Sequence, residues 1–382
     1  MRFRPTALAL ALTVVAGLAG QQAVHSADSH RPKPHAPQLL GDVVPVGTGT
    51  PVKLMPLGDS NTEGVDVVYE GYRGDLWHLL TSDGRPVDFV GSLSAGAANL
   101  PDRNHEGHGG WTIQGIYDNV IGFMNAAHPD VITLQIGTND MNTEELVAAA
   151  PGRLAALIDR IGQTDPKVKL FVTTIPPIVS ELGQRRAQGY NATIAPIVEQ
   201  RRRAGQKVAF VDTGSGYVQP HDFGDPVHVL YGAASKGALR WYDALTGQTS
   251  TRYEAEQNST ATVVHAQRDT NYSASGGTKV GNIDYADSSV TFKVNAAAAG
   301  KYRVHLRGAN GTGTTCTHNF SVNGGTASTV SYPSYGTTLE HWRMWSMQKV
   351  DIRLPAGPSS LKITKGTCSA ELDSLDLTGP KN

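Results

Sequence analysis

The chain reads as an α/β protein with a parallel sheet covered by helices on both faces, followed by a separate all-β sandwich. Three observations predict this. Its 382 residues exceed the usual size of one domain. Between Pro51 and Gly247, short apolar runs alternate with segments whose apolar residues recur every three or four positions, which is the pattern of strands and crossover helices. From Arg252 onward the helical period stops. Short Val/Tyr/Thr runs broken by Gly, Asn, Pro and Ser take its place, as in a sandwich of about 130 residues.

At the amino terminus, Met1-Arg-Phe-Arg4 precedes an Ala/Leu/Val run over 7–19 and small residues up to Ala27. A basic start, a short apolar stretch and a small-residue zone predict a secretory signal over 1–27, cut between Ala19 and Ala27, and hence an extracellular protein. An uncleaved anchor is the alternative. The apolar run is short for a membrane span, and no membrane partner is expected. Residues 28–50 are rich in His, Pro and Gly without periodicity, so they read as a flexible segment lacking a core.

The first domain is expected over 51–247, with strands at 52–57, 87–90, 131–136, 168–174 and 208–211. Helices fall at 72–80, 112–124, 144–161, 185–203 and 233–245. The short polar junction over 246–251 reads as a hinge. The second domain, 252–379, has strand runs at 290–294, 302–306, 319–322 and 350–354.

The formal net charge of −1 argues against an electrostatic grip on nucleic acid or anionic lipid. The two cysteines, Cys316 and Cys368, both lie in the second domain. In an exported protein such a pair forms one disulfide, and two buried free thiols are the alternative. A bridge closing so long a loop stabilises by about 4 kcal/mol in the chain-entropy model.

Four segments fall where loops follow strands. Gly58-Asp59-Ser60 places a serine just past the first strand, where open α/β sheets bind ligands, so Ser60 is a candidate nucleophile. The stretch from His105 through Gly109 and Gly110 to Trp111 and Thr112 precedes a helix, so its backbone N–H groups can face a substrate oxygen. Asn139 closes the most apolar strand and can aim its amide at an oxyanion. Asp225-Pro-Val-His228 puts an aspartate within one turn of a histidine, which can then hold the tautomer that deprotonates a serine. Each alone has a plain structural explanation: helix caps for Ser60 and Asn139, a turn for the glycines, a surface pair for Asp225 and His228. Their joint placement on one sheet edge favours chemistry. A zinc site at His105 and His108 fails on spacing, because the two are three apart with glycine between them.

These residues resemble the four sequence blocks of the SGNH, or GDSL-type, hydrolases, in order and across nearly the whole first domain. More narrowly, the stretch from His105 to Thr112, with Gly71-Tyr-Arg73 and Asp88-Phe-Val-Gly-Ser92, is similar to the acetylxylan esterases of carbohydrate esterase family 3. The resemblance implies a flavodoxin-like three-layer α/β/α domain. It also implies Ser60 as nucleophile, His228 as general base and acid and Asp225 as its orienting partner. The oxyanion hole is then the Ser60 N–H, the Gly110 N–H and the Asn139 side chain, with no cofactor for catalysis. One departure is visible. The family pattern has Pro directly after the histidine, whereas here Pro226 follows Asp225 and Val229 follows His228.

In the second domain, Tyr253-Glu-Ala-Glu256 reads as a strand with Glu254 and Glu256 on one face. Asp373 on the last strand can complete a calcium site with them; a solvated acidic edge is the alternative. The segment resembles the sandwich, jelly-roll carbohydrate-binding modules of families 35 and 6, through Tyr-Glu-Ala-Glu256, Ser275-Gly-Gly277, Val322-Asn-Gly324, Trp342, Trp345, Leu354-Pro-Ala-Gly357 and Glu-Leu-Asp373. That resemblance implies structural calcium and a sugar stacked on an aromatic ring, with Trp342 the first choice and Tyr272 the second. At least one of Trp342 and Trp345 is expected in the core.

The expectation is therefore a secreted, monomeric serine esterase that removes acetyl groups from a plant polysaccharide such as xylan, held on polymer by its module. A secreted lipase or phospholipase of the same superfamily and a lectin-like protein with an inert first domain are the alternatives.

Overall fold

A computed structural model describes residues 50–65 and 70–381. The expected signal and nearly all of the tail before residue 50 lie outside the described residues. In chain order the first domain comprises strands β1 (Val52–Gly58), β2 (Val87–Phe89), β3 (Leu93–Ser94), β4 (Asn104–Gly107), β5 (Val131–Gln135), β6 (Lys169–Thr173) and β7 (Val208–Val211). Its helices are α1 (Ser60–Glu63), α2 (Arg73–Ser82), α3 (Ile113–Ala127), α4 (Glu144–Thr164), α5 (Glu181–Arg203) and α6 (Tyr231–Thr246).

All pairings along β2-β1-β5-β6-β7 are parallel. Successive residues of a strand face opposite sides. Met55, Leu57, Ile132, Leu134 and Val172 therefore pack under one helical layer with Ile116, Leu157 and Ile194. Leu54, Phe89, Val131, Phe171 and Val211 pack under the other, with Leu76, Leu79, Trp241 and Tyr242. The three-layer expectation holds.

One local expectation does not. The start of the His105–Thr112 segment is strand β4, not loop, and pairs with the end of β1 through Leu57↔Glu106 and Gly58↔Gly107. Its polar residues concealed it. Glu106 is buried, but its carboxylate accepts from the Ser92 N–H and hydroxyl at 2.7 Å each and contacts His108 Nε2 at 2.7 Å, so burial leaves it partnered.

The second domain comprises β8 (Ser250–Glu254), β9 (Ala261–Val264), β10 (Gln267–Thr270), β11 (Thr278–Gly281), β12 (Ser289–Ala296), β13 (Gly300–Ala309), β14 (Cys316–Val322), β15 (Ser328–Tyr332), β16 (Trp345–Leu354), β17 (Gly357–Lys365) and β18 (Glu371–Lys381). Two antiparallel sheets, β10-β11-β18-β13-β16 with β8 on β18, and β15-β14-β17-β12-β9, enclose Val290, Phe292, Val304, Leu306, Phe320, Leu361 and Ile363. Cys316 and Cys368 form a disulfide with their Cα atoms 5.1 Å apart. β8 ends at Glu254, so Glu256 lies beyond the strand and not on a shared strand face as expected.

The junction is not a hinge. Gly247 ends α6 in the left-handed region (φ 69°), and the Ser250 N–H and hydroxyl both bond the buried Asp243 carboxylate. Arg252 on β8 donates to both oxygens of Asp376 at 2.7 Å and also to Ser235 on α6. The polar residues that suggested solvent exposure are satisfied internally. The domains meet over a wide area: Met347 of β16 joins the Leu76–Trp241 cluster, Asn99 Nδ2 donates to Trp345 O at 2.9 Å, and a Cβ on Gly232 would lie 2.1 Å from Ala274 O.

Candidate active site

β1 delivers the chain into a turn that needs glycine at its entry, since a Cβ on Gly58 would lie 2.1 Å from Gln135 O. Asp59 caps α1, its Oδ1 accepting the Asn61 N–H at 3.0 Å. Burial raises the Asp59 pKa to about 6 against the hydrogen bonds that lower it. Ser60 is thus the first residue of a helix, and its N–H is one of the terminal donors a helix cannot satisfy internally.

Ser60 Oγ lies 2.9 Å from His228 Nε2, and His228 Nδ1 lies 2.6 Å from Asp225 Oδ2. The other Asp225 oxygen accepts the Val227 and His228 N–H groups at 2.9 Å each. The aspartate therefore organises its own loop, and Pro226 after it is accommodated, its carbonyl accepting the Val179 N–H at 2.8 Å. Partial burial acts to raise the Asp225 pKa, but the hydrogen bonds from His228 and Val227 outweigh it and hold the carboxylate below its ordinary value.

Gly110 takes φ 79°, with nothing within 4 Å of where its Cβ would be. Asn139 begins a short 3-10 turn after β5, and its Nδ2 donates to Trp111 O at 2.9 Å. One of its two amide N–H bonds is thus committed to tying the Gly110 loop to the β5 loop, and the second remains for a ligand. Asp140 Oδ2 accepts the Ile113 N–H at 2.8 Å, fastening the same two loops. The structure brings Ser60, His228 and Asp225 into one hydrogen-bonded series and bonds the Asn139 amide, from the β5 loop, to the Gly110 loop.

Sequence reasoning missed Asn61. Its Nδ2 donates to Val227 O at 3.3 Å and its Oδ1 accepts the Val229 N–H at 3.4 Å, so it grips the chain on both sides of His228. Its place directly after Ser60 was the only sequence signal, and nothing local indicates a partner 166 residues away. Arg73, buried, donates to the carbonyls of Thr62, Glu63 and Ala95 and so fixes the end of α1. The narrow pocket beside Ser60 and His228 is lined by Val65, Tyr72, Pro176, Tyr217 and Ala234, which carry no charge.

In the second domain, Trp345 is core, its Nε1 donating to Ser273 Oγ at 2.9 Å under the Arg307 guanidinium. Trp342 is half-buried over Gly311, and Tyr272 carries the Arg343 guanidinium 4.6 Å above its ring. Glu254 accepts the Ser275 hydroxyl. Asp373 accepts the Ser275 N–H at 2.8 Å and Arg307 Nη1 at 2.8 Å. Burial and the Asp373 charge raise Glu254 to about 7; burial and the charges of Glu254 and Asp373 raise Glu256 to about 8. Glu256 Oε2 is buried without a hydrogen-bond partner. Among the described residues no group of three or more His, Cys, Asp or Glu side chains is arranged as a metal cage. Glu256 Oε2 thus offers an unpartnered oxygen of the kind that suits a hard cation, with the Glu254 carboxylate, bonded to Ser275, beside it, while Asp373 is turned to Arg307 and Ser275.

A serine, histidine and aspartate in hydrogen-bonded series at the carboxyl edge of a parallel sheet define the class of α/β/α serine hydrolases. Residues 57–253, just over half of the chain, match the profile of the GDSL-like Lipase/Acylhydrolase family, and the chain belongs to that family. Residues 251–379 match the profile of Carbohydrate binding module (family 35). Over 241 residues, 56% of this chain and 30% of that protein, it is 30% identical to a multidomain esterase of Ruminococcus flavefaciens, so it spans under a third of that relative's length. Among solved structures it resembles a Clostridium thermocellum family 3 carbohydrate esterase (38% identity, TM-score 0.47, 51% of this chain and 95% of that one). It also resembles a family 35 carbohydrate binding module from Clostridium thermocellum (25% identity, TM-score 0.31, 34% of this chain and 98% of that one).

Proposed function

We propose that the protein is a secreted serine esterase that removes acetyl groups from a cell-wall polysaccharide such as xylan. The observation that carries this reading is the series Ser60 Oγ, His228 Nε2, His228 Nδ1, Asp225 Oδ2, at 2.9 and 2.6 Å. His228 takes the Ser60 proton as Oγ attacks the acyl carbonyl. The carbonyl oxygen gains charge facing the Ser60 N–H, the Gly110 N–H and the second Asn139 N–H. His228 then protonates the departing sugar oxygen, and water, deprotonated by His228, releases acetate. The narrow uncharged pocket beside Ser60 suits a short acyl group, and the amino-terminal pattern over 1–27 supports export.

The second domain binds the carbohydrate chain, with Trp342 stacking on a sugar and Tyr272 beside it. A calcium ion at Glu254 and Glu256, with Asp373 adjacent, would neutralise their mutual repulsion and supply stability, not a catalytic step.

The test is acetate release from acetylated xylan beside hydrolysis of a long-chain lipid ester, by the wild type and Ser60→Ala. Release from xylan by the wild type alone supports the proposal. Preference for the lipid ester, or equal activity of the folded Ser60→Ala protein, overturns it.

A further inference from the structure

Glu63 follows Ser60 by three residues on the single turn of α1, so the two side chains leave the same side of the helix. Its backbone is held on every side. The N–H donates to Asp59 O at 3.0 Å, the carbonyl accepts Arg73 Nη2 at 3.0 Å, and a Cβ on Gly107 would lie 2.5 Å from the Glu63 nitrogen. The carboxylate therefore leaves a fixed base. A Cβ on Gly109 would lie 2.7 Å from Glu63 Oε2 and 4.0 Å from Ser60 Cβ, so carboxylate and nucleophile flank the same exposed glycine. Among the described residues no donor forms a hydrogen bond or ion pair with the Glu63 carboxylate. A half-buried carboxylate in this position has acceptor capacity to spare at the mouth of the site.

From this geometry we infer that Glu63 is a specificity-determining residue, accepting hydrogen bonds from free hydroxyls of the sugar that carries the ester. The inference rests on the reading of the site as a carbohydrate esterase and deepens it. Two carboxylate oxygens match the two O–H donors of a vicinal diol, and bonds to a charged acceptor are among the stronger hydrogen bonds. A fatty acyl chain offers no such donor, and a phosphate headgroup is repelled. Gly109 keeps the gap open, since any side chain there would fill it.

The experiment compares kcat/KM for an acetylated xylo-oligosaccharide bearing free hydroxyls with that for phenyl acetate, which has none, in the wild type, Glu63→Ala and Glu63→Gln. The ratio of the two values is expected to fall roughly ten- to a hundredfold in Glu63→Ala, mainly through KM, and less in Glu63→Gln, whose amide oxygen still accepts. An unchanged ratio in both variants overturns the inference, as does a loss shared equally by the two substrates. If Glu63→Ala does not fold, the Glu63→Gln ratio decides. A wild type that releases nothing from any saccharide ester sinks the esterase reading and this one together. Release with an unchanged ratio sinks only the role of Glu63.

Discussion

Arg307 on β13 holds Asp75 on α2 in a two-point grip, Nε to Oδ1 and Nη2 to Oδ2 at 3.0 Å each, with both side chains buried. Its Nη1 reaches Asp373 on β18. One buried guanidinium thus balances a carboxylate from each domain, and its planar fork suits this better than a lysine would. Replacing it by Met leaves two buried charges uncompensated, at a cost of about 3–5 kcal/mol. Calorimetry is expected to show one cooperative transition for the wild type and a large fall in Tm for Arg307→Met. Two separate wild-type transitions, or an unmoved Tm, would contradict the fused interface.

Asn61 grips the carbonyl of Val227 and the N–H of Val229, and through them sets His228 against Ser60. Loss of this grip displaces the base by a fraction of an ångström or more. Asn61→Ala is expected to lower kcat about ten- to a hundredfold with little change in KM. A KM effect with intact kcat would assign Asn61 to substrate binding instead.

Asp225 fixes which His228 nitrogen carries the proton. Asp225→Asn keeps the shape but can reverse the tautomer, so kcat is expected to drop by about three to four orders of magnitude. The carboxylate is half exposed, so Tm should barely move. A mild kinetic effect would mean that another group orients the histidine.

Glu254 and Glu256 sit at about 7 and about 8 against an ordinary 4.5. The folded state then binds more protons than the unfolded one, so stability falls as pH rises from about 4.5 to about 8 and levels off above. Bound calcium favours the charged forms and flattens that slope. In chelator, Tm should decline across this window; added calcium should restore it more at high pH than at low. Asp59 and Asp243, raised to about 6 and about 7 by burial, add a slope of the same sign that calcium leaves in place. A Tm indifferent to calcium at both ends of the window removes calcium from this site.

Much of the fold was legible because its signals are local. Each central strand is an apolar run, each of the five long helices repeats at three and four, and Ser60, Gly110, Asn139 and the Asp225–His228 pair each follow a strand in short recognisable stretches. Strand β4 was not legible, because the buried His105 and Glu106 carry no apolar pattern, and Glu106 is buried by virtue of polar partners distant in sequence. The junction over 246–251 looked like a hinge for the same reason: Thr246 and Ser250 are polar, and only the structure shows that their partners are internal.

By itself the sequence determined two domains, the order of the five parallel strands and five long helices of the first, and the residue types at the candidate site, since all of these depend on periodicity and turn chemistry over a few residues. The tertiary structure alone decided that the domains are fused through Arg307 and Asp75, 232 residues apart, that Asn61 grips the loop of His228, and that Glu63 stands across Gly109 from Ser60. Those relations join groups distant in sequence, and no local propensity encodes a distance between them.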